Sequence, residues 1–70
     1  MEYKFTAHAK YRLKKRELTE QEIIDAINYA EKILKKHGKY YARKNIVRGK
    51  IEVVFEKKEK YINIIIIYWI

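Results

Sequence analysis

The 70-residue chain contains no cysteine, no proline and only two glycines. The absence of cysteine excludes disulfides and the zinc sites that use thiolate ligands. The longest apolar stretch, Ile64 to Ile70, is far shorter than the roughly 20 residues of a membrane-spanning helix. No signal peptide is recognisable, so we expect a cytoplasmic protein with no membrane contact. An apolar core and backbone pairing must therefore hold together a single domain over residues 1–70.

Apolar residues and positive charge are abundant. Hydrophobic residues make up 49% of the chain, which excludes a disordered tail, and the net charge of +8 favours a polyanionic partner such as RNA. Residues 1–16 carry six bases and one acid, residues 17–31 five acids and no base, and residues 32–50 eight bases and no acid. These blocks predict two basic surfaces with an acidic strip between them. Solvated charge that only keeps the protein soluble is the alternative.

The clearest predicted element is a long helix. Thr19 and Glu22 have capping-box spacing, so the helix should begin at Glu20. An apolar stripe at i, i+4, i+7 and i+11 follows, formed by Ile23, Ile27, Ala30 and Leu34. Gly38 is the expected stop, because glycine readily takes the left-handed conformation after a last helical turn.

A shorter helix is predicted from about Ala7 to Arg16, with Thr6 as its cap. Alternation of polar and apolar residues predicts strands at residues 2–5 and 50–56, and a run of apolar β-formers predicts one at residues 61–69. An additional strand is expected at about residues 39–44. The isoleucine-rich last strand should be interior, with the N-terminal strand beside it. The prediction is an α+β fold in the order β-α-α-β-β-β, in which two helices pack on one face of a small antiparallel-rich sheet.

The other face of this sheet would remain open. Strict alternation along the last strand places one set of side chains on one face, namely Ile62, Ile64, Ile66 and Tyr68. It places the other set on the opposite face, namely Tyr61, Asn63, Ile65, Ile67 and Trp69. One set must face away from the helices, and such an apolar patch is typical of a surface for a partner or a second copy.

The shorter helix carries a constellation suited to chemistry. His8, Arg12 and Arg16 recur at i, i+4 and i+8, so they share one face, and Lys15 lies close by. An uncharged imidazole can take the proton from a 2′-hydroxyl while arginines stabilise a dianionic phosphorane, without a metal or cofactor. The alternative is structural, with His8 hydrogen-bonded at the helix start. The arginines would then pair with nearby carboxylates, namely Glu17, Glu20 or Glu22.

A second basic block mixes aromatic rings with cations, which suits stacking on unpaired bases and gripping their backbone. The residues predicted to hold a nucleic-acid strand are Lys15, Tyr41, Arg43, Lys44 and Arg48. A solvated edge strand is the alternative. Candidate general acids for strand cleavage are His37, Tyr40, Tyr41 and Tyr68.

The run FTAHAKYRLKKR at residues 5–16 resembles the H-A-x-x-R-x-x-x-R signature of the domain of unknown function 4258 family. The segments KHG at 36–38, YAR at 41–43, IEVVF at 51–55 and IIIYW at 65–69 resemble the helix end and closing strands of that family. The family is similar to RelE and ParE type toxins, in a broader group that includes barnase, EndoU and colicin nucleases. The resemblance implies a RelE-like fold and makes His8, Arg12 and Arg16 the characteristic polar positions.

Together these observations predict a RelE-like toxin-type domain that cleaves RNA as a metal-independent endoribonuclease. His8 would be the base, and Arg12 and Arg16 would hold the phosphate. The resemblance adds an acidic antitoxin as an expected partner, and the open sheet face adds a homodimer. The alternative is a non-catalytic nucleic-acid-binding or protein-interaction module.

Overall fold

Four strands follow the helices in the structure, one more than predicted. The computed structural model describes residues 2–70. Its elements are β1 (Glu2–Phe5), α1 (Ala7–Arg16), α2 (Glu20–Asn28), β2 (Lys32–Lys36), β3 (Lys39–Ile46), β4 (Gly49–Lys57) and β5 (Tyr61–Trp69). The α+β class with two helices beside one sheet is confirmed.

Helix α1 forms where the sequence predicts it. The Thr6 hydroxyl accepts a hydrogen bond from the Ala9 N–H at 3.1 Å, and Glu17 ends the helix in the left-handed conformation. Ala9 and Leu13 are buried in the core. These two buried side chains fix which side of α1 faces the core, and therefore which side faces solvent.

Helix α2 begins at the predicted capping box but ends much earlier than predicted. Thr19 and Glu22 make both hydrogen bonds of the box, yet the helix stops at Asn28. The extension to Gly38 was wrong, because residues 32–36 form the edge strand β2 instead. Leu34 pairs with Tyr41 of β3 and is exposed, so it takes no part in a helical stripe.

The predicted helix stop is a hairpin turn in the structure. His37 and Gly38 both have positive φ, at 53° and 77°, and connect β2 to β3. Two consecutive positive φ values are typical of the turns that join tightly paired antiparallel strands. The conformational freedom of Gly38 is therefore used as predicted, but to reverse a strand instead of ending a helix.

The sheet has the strand order β1-β5-β4-β3-β2. Strand β5 lies between β1, its parallel neighbour, and β4, its antiparallel neighbour. The interior position predicted for the last strand, with the first strand beside it, is confirmed. The helices cover one face, where α1 packs on β5 and α2 packs on β3 and β4.

The strict alternation predicted for β5 is interrupted. Val54 pairs with Ile66 while Phe55 pairs with Ile64, so β5 carries one extra residue at this point. This β-bulge puts both Ile64 and Ile67 in the core, although alternation assigned them to opposite faces. The two face sets predicted for this strand were therefore wrong beyond the bulge.

The core lies between the helices and the sheet, where its largest fully buried side chains are Phe55, Ile23, Ile51, Ile64, Ile67 and Val53. The opposite, open face is mixed in character and not a simple apolar patch. Arg43, Glu52 and Tyr68 form one row across three strands of this face, and Val54 with Ile66 belongs to the next row. Glu52 is only 4% exposed.

Candidate nucleic-acid interface

The predicted catalytic residues lie on one stripe of α1. His8 and Arg16 are exposed and Arg12 is half-buried, with one helical turn between successive members. The Thr6 cap and the buried residues of α1 hold this stripe at the solvent-facing border of the helix. The imidazole is thus accessible, and the structure does not seal it in the core.

Nothing neutralises this stripe in the part of the chain that the structure describes. The ion pairs of residues 2–70 are Arg43–Glu52, Arg48–Glu22 and Lys58–Glu56, so none involves α1. The alternative in which Arg12 or Arg16 pairs with a neighbouring carboxylate is therefore not realised. Glu22, one of the three carboxylates named as possible partners, is instead paired with Arg48.

Arg12 is held against the protein. Its Nε is buried and has no hydrogen-bond partner within residues 2–70. An unpaired buried donor carries a free-energy cost unless a water or a ligand satisfies it. Of the three residues in the stripe, Arg12 is therefore the one whose side chain is partly buried while its Nε still lacks a hydrogen-bond acceptor.

An exposed aromatic ring lies next to the stripe. The Tyr11 ring is 58% exposed, and the Lys15 ammonium is 6.0 Å from its centroid. Tyr11, Lys14 and Lys15 line a depression of about 360 Å³. Sequence reasoning selected Lys15 but missed Tyr11, although its position three residues after His8 places it on the exposed side of α1.

The residues predicted from the second basic block do not come together. Tyr41 and Arg43 lie on the open sheet face, whereas Lys44 points to the helix side of the same strand, with Ala42. Arg48 lies in the β3–β4 turn and donates to the Glu17 carbonyl at 2.7 Å and to the Glu22 carboxylate at 3.0 and 3.1 Å. Its guanidinium thus joins that turn to the start of α2.

The Glu22 carboxylate has a perturbed pKa. The Thr19 backbone N–H donates to it at 2.9 Å, and this hydrogen bond is the largest cause that lowers the pKa of Glu22 below its ordinary value. Arg48 lowers the same pKa further through its hydrogen bond and its charge, while partial burial opposes the shift. Glu22 therefore stays ionised in the folded protein at mildly acidic pH.

A cluster on the open face was missed by sequence reasoning. Glu52 accepts a hydrogen bond from Arg43 Nε at 2.6 Å through one oxygen and from the Tyr68 hydroxyl through the other. The three residues are directly opposite one another in adjacent strands. The sequence shows a glutamate on an alternating strand, but only the strand register shows which cation and which hydroxyl it meets.

Within residues 2–70, no group of three or more histidine, cysteine or carboxylate side chains is placed to hold a metal ion. No helix of that range combines the length and apolarity required to cross a membrane.

Fold and sequence together define a class: a small α+β domain with a mixed five-stranded sheet and a basic histidine-containing first helix. The profile of the family described as Domain of unknown function (DUF4258) matches residues 5–69. The chain belongs to this family. No curated protein and no solved structure matches it.

Proposed function

We propose that this protein binds RNA and cleaves it as a metal-independent endoribonuclease, with the reacting groups on α1. His8 is the general base, and Arg12 and Arg16 bind the phosphate and stabilise the charge that develops on it. One observation carries this proposal. An exposed histidine and two arginines share a helical stripe on which no carboxylate of residues 2–70 forms an ion pair.

The chemistry uses the nucleophile that RNA itself contains. His8 takes the proton of a 2′-hydroxyl, the 2′-oxygen forms a bond to the adjacent phosphorus, and the bond from phosphorus to the 5′-oxygen breaks. The products are a 2′,3′-cyclic phosphate end and a 5′-hydroxyl end, and water supplies the proton of the leaving oxygen. The additional negative charge on the phosphorane is stabilised by the guanidinium groups.

Two of the four candidate general acids, His37 and Tyr68, lie elsewhere in the fold, which supports water as the proton donor. His37 is in the β2–β3 turn, at the edge of the sheet far from β5, on which α1 packs. The Tyr68 hydroxyl already donates to Glu52 on the opposite face. Neither group shares the surface that exposes His8.

The depression beside the stripe supports RNA as the substrate. Tyr11 offers an exposed face for stacking a base, and Lys14 and Lys15 offer charges for its phosphates. Of the other predicted RNA contacts, Arg48 lies at the end of α1, where it donates to the Glu17 carbonyl, and Lys44 lies on the helix side of β3. Tyr41 and Arg43 are on the opposite face, so a strand bound at α1 would reach these two by passing around the edge of the sheet.

The test is cleavage of a single-stranded RNA by the purified protein in the presence of a chelator. We expect 2′,3′-cyclic phosphate ends, and we expect the rate to fall about 10²–10⁴-fold in His8→Ala, which is the usual contribution of a general base. His37→Ala is the matched control, because it removes the other histidine from an exposed turn. A strand with 2′-deoxyribose at the cleavage site should remain intact. Equal cleavage by the His8 and His37 variants would refute the assignment.

A second candidate function is nucleic-acid binding without catalysis. It is favoured by one observation: the His8 ring makes no side-chain hydrogen bond in residues 2–70 that would orient it as a base. Binding should then weaken steeply as salt rises, because phosphate contacts release counterions, and no product should form. Arg12→Gln and Arg16→Gln would lower affinity while His8→Ala would leave it nearly unchanged.

Protein partners fit the same surfaces. An acidic antitoxin would complement the positive stripe of α1, and its binding would block RNA. A homodimer through the open sheet face is the other proposal. Light scattering of the isolated protein tests the homodimer. Competition between RNA and an acidic polypeptide for α1 tests the antitoxin.

A further inference from the structure

The open face of the sheet contains a cavity of about 260 Å³, on the side of the sheet opposite the reacting groups of the proposed cleavage. It is lined by Leu34, Lys36, Tyr41, Arg43 and Glu52. These residues come from the three neighbouring strands β2, β3 and β4, so paired strands form the floor of the cavity. We propose that this cavity binds a nucleotide, with its phosphate on the cations and its base against Tyr41.

Glu52 positions Arg43 for this role. The carboxylate accepts from Arg43 Nε at 2.6 Å, while the two terminal nitrogens of Arg43 make no hydrogen bond within residues 2–70. The guanidinium is thus fixed at one end, and its remaining donors are available to an incoming anion. Arg43 is 38% exposed and lines the cavity, so these donors are accessible. A guanidinium with two free nitrogens matches the oxygens of a phosphate.

The charge of the cavity favours an anion. Two cations, Lys36 and Arg43, face one carboxylate, Glu52, whose two oxygens are already engaged by Arg43 and Tyr68. Lys32 pairs with Arg43 in the strand register and adds positive charge to the same row. Within residues 2–70, Lys36 forms no ion pair, so its ammonium remains available.

The remaining lining is suited to a flat ring. Tyr41 and Leu34 are directly opposite each other on β3 and β2, and Val54 and Ile66 continue the row on β4 and β5. An aromatic ring bordered by aliphatic side chains is a surface on which a nucleobase stacks. The volume is slightly below the roughly 300–1,000 Å³ of small-molecule sites, so one nucleotide would fill it.

This inference does not rest on the proposed cleavage, because the cavity and the α1 stripe are on opposite faces of the sheet. A free mononucleotide and one unit of an RNA strand present the same phosphate and base. The experiment therefore includes both, and a nucleotide site requires that 5′-AMP binds more tightly than adenosine or inorganic phosphate alone.

The test is a titration followed by amide chemical shifts. We expect 5′-AMP to bind saturably with a dissociation constant near or below about 1 mM, and to shift signals of β2, β3 and β4 but not of α1. Lys36→Gln should weaken binding several-fold, whereas Lys35→Gln should not. These lysines are adjacent on one exposed strand but face opposite sides of the sheet, so the pair separates the site from general electrostatics. A trinucleotide that binds more tightly than AMP identifies an RNA strand as the ligand, and equal affinity identifies a free nucleotide.

Arg43→Gln should weaken binding at least about tenfold, since it removes the charge-assisted hydrogen bonds to the phosphate. If that variant does not fold, the comparison of Lys36→Gln with Lys35→Gln still tests whether the nucleotide binds in this cavity. Equal weakening by both lysine variants, shifts centred on α1, or inorganic phosphate binding as tightly as AMP would each overturn the proposal. His8→Ala should bind AMP normally, so loss of RNA cleavage and loss of nucleotide binding are separate results.

Discussion

The Thr6 hydroxyl donates a hydrogen bond of 3.1 Å to the backbone carbonyl of Ile65, at the bulge of β5. The Thr6 N–H donates to the neighbouring Ile64 carbonyl at the same distance. The hydroxyl also accepts from the Ala9 N–H as the cap of α1. The Thr6 side chain thus ties the start of the helix that carries His8 to the bulge of β5, the strand on which that helix packs.

Thr6→Ala should therefore cost more than the loss of an ordinary helix cap. We expect the free energy of unfolding to fall by about 2 kcal/mol, because a cap and a second, partly buried hydrogen bond are lost together. Thr6→Ser keeps both bonds and should cost less than half as much. Urea denaturation followed by circular dichroism measures the difference. Equal losses in the two variants would show that the hydroxyl is not what matters.

Stability should decrease in acid because of Glu22. Folding lowers the pKa of its carboxyl, mainly through the Thr19 N–H and then through Arg48. The contribution is therefore fully present above the ordinary value of 4.5 and is lost as pH falls through the lower, folded-state pKa. Glu22→Gln should flatten this part of the profile of unfolding midpoint against pH. Glu20→Gln removes a charge from the same helical turn and should keep the wild-type slope.

Loss of the arginine from the Arg43–Glu52 ion pair should destabilise the protein, because Glu52 is the buried partner of the pair. Arg43→Ala leaves a carboxylate whose side chain is 5% exposed without its cation, and we expect a loss of about 3 kcal/mol. Lys44→Ala, one position along the same strand, should cost under about 1 kcal/mol. The double change of Arg43 and Glu52 to leucine should recover much of the loss. Calorimetric unfolding of the four proteins gives the comparison, and a double variant less stable than Arg43→Ala contradicts the argument.

Gly49 should tolerate no side chain. Its φ is +144°, and a Cβ placed there would lie 3.3 Å from a ring carbon of Trp69. Gly49→Ala combines backbone strain with this close contact, so we expect a loss of at least about 1–2 kcal/mol. Gly38→Asn is the control, because nothing lies within 4 Å of its Cβ position and asparagine accepts positive φ. The thermal midpoints of the two variants should differ clearly, with Gly49→Ala lower.

Local signals were sufficient for the first half of the fold. The caps at Thr6 and Thr19 depend on residues at most three positions away, so the sequence contains the whole of each interaction. The segment after Asn28 is different. Leu34 fits the predicted helical stripe, but it pairs with Tyr41 of the next strand along the chain. Pairing within the sheet overrode the helical pattern, and a glycine with positive φ suits either a helix end or a hairpin turn.

In the candidate site, too, some features follow from the local sequence and others depend on the fold. The stripe of His8, Arg12 and Arg16 follows from helical periodicity alone, and the structure keeps it intact. Arg43 and Arg48 appear equivalent in the sequence, yet one meets Glu52 and the other meets Glu22. These partners are set by strand register and by the packing of a turn on α2. No local spacing contains that information.

Strand β5 has a further consequence for how the domain is made. It is the last strand in chain order, yet β1 joins the sheet only by pairing with it. During synthesis, β1 and α1 leave the ribosome long before β5 does. Until β5 emerges, β1 has no strand to pair with and α1 lacks the strand on which it packs. We expect nascent chains stalled before residue 61 to remain protease-sensitive in β1 and α1, and to become resistant once β5 has emerged.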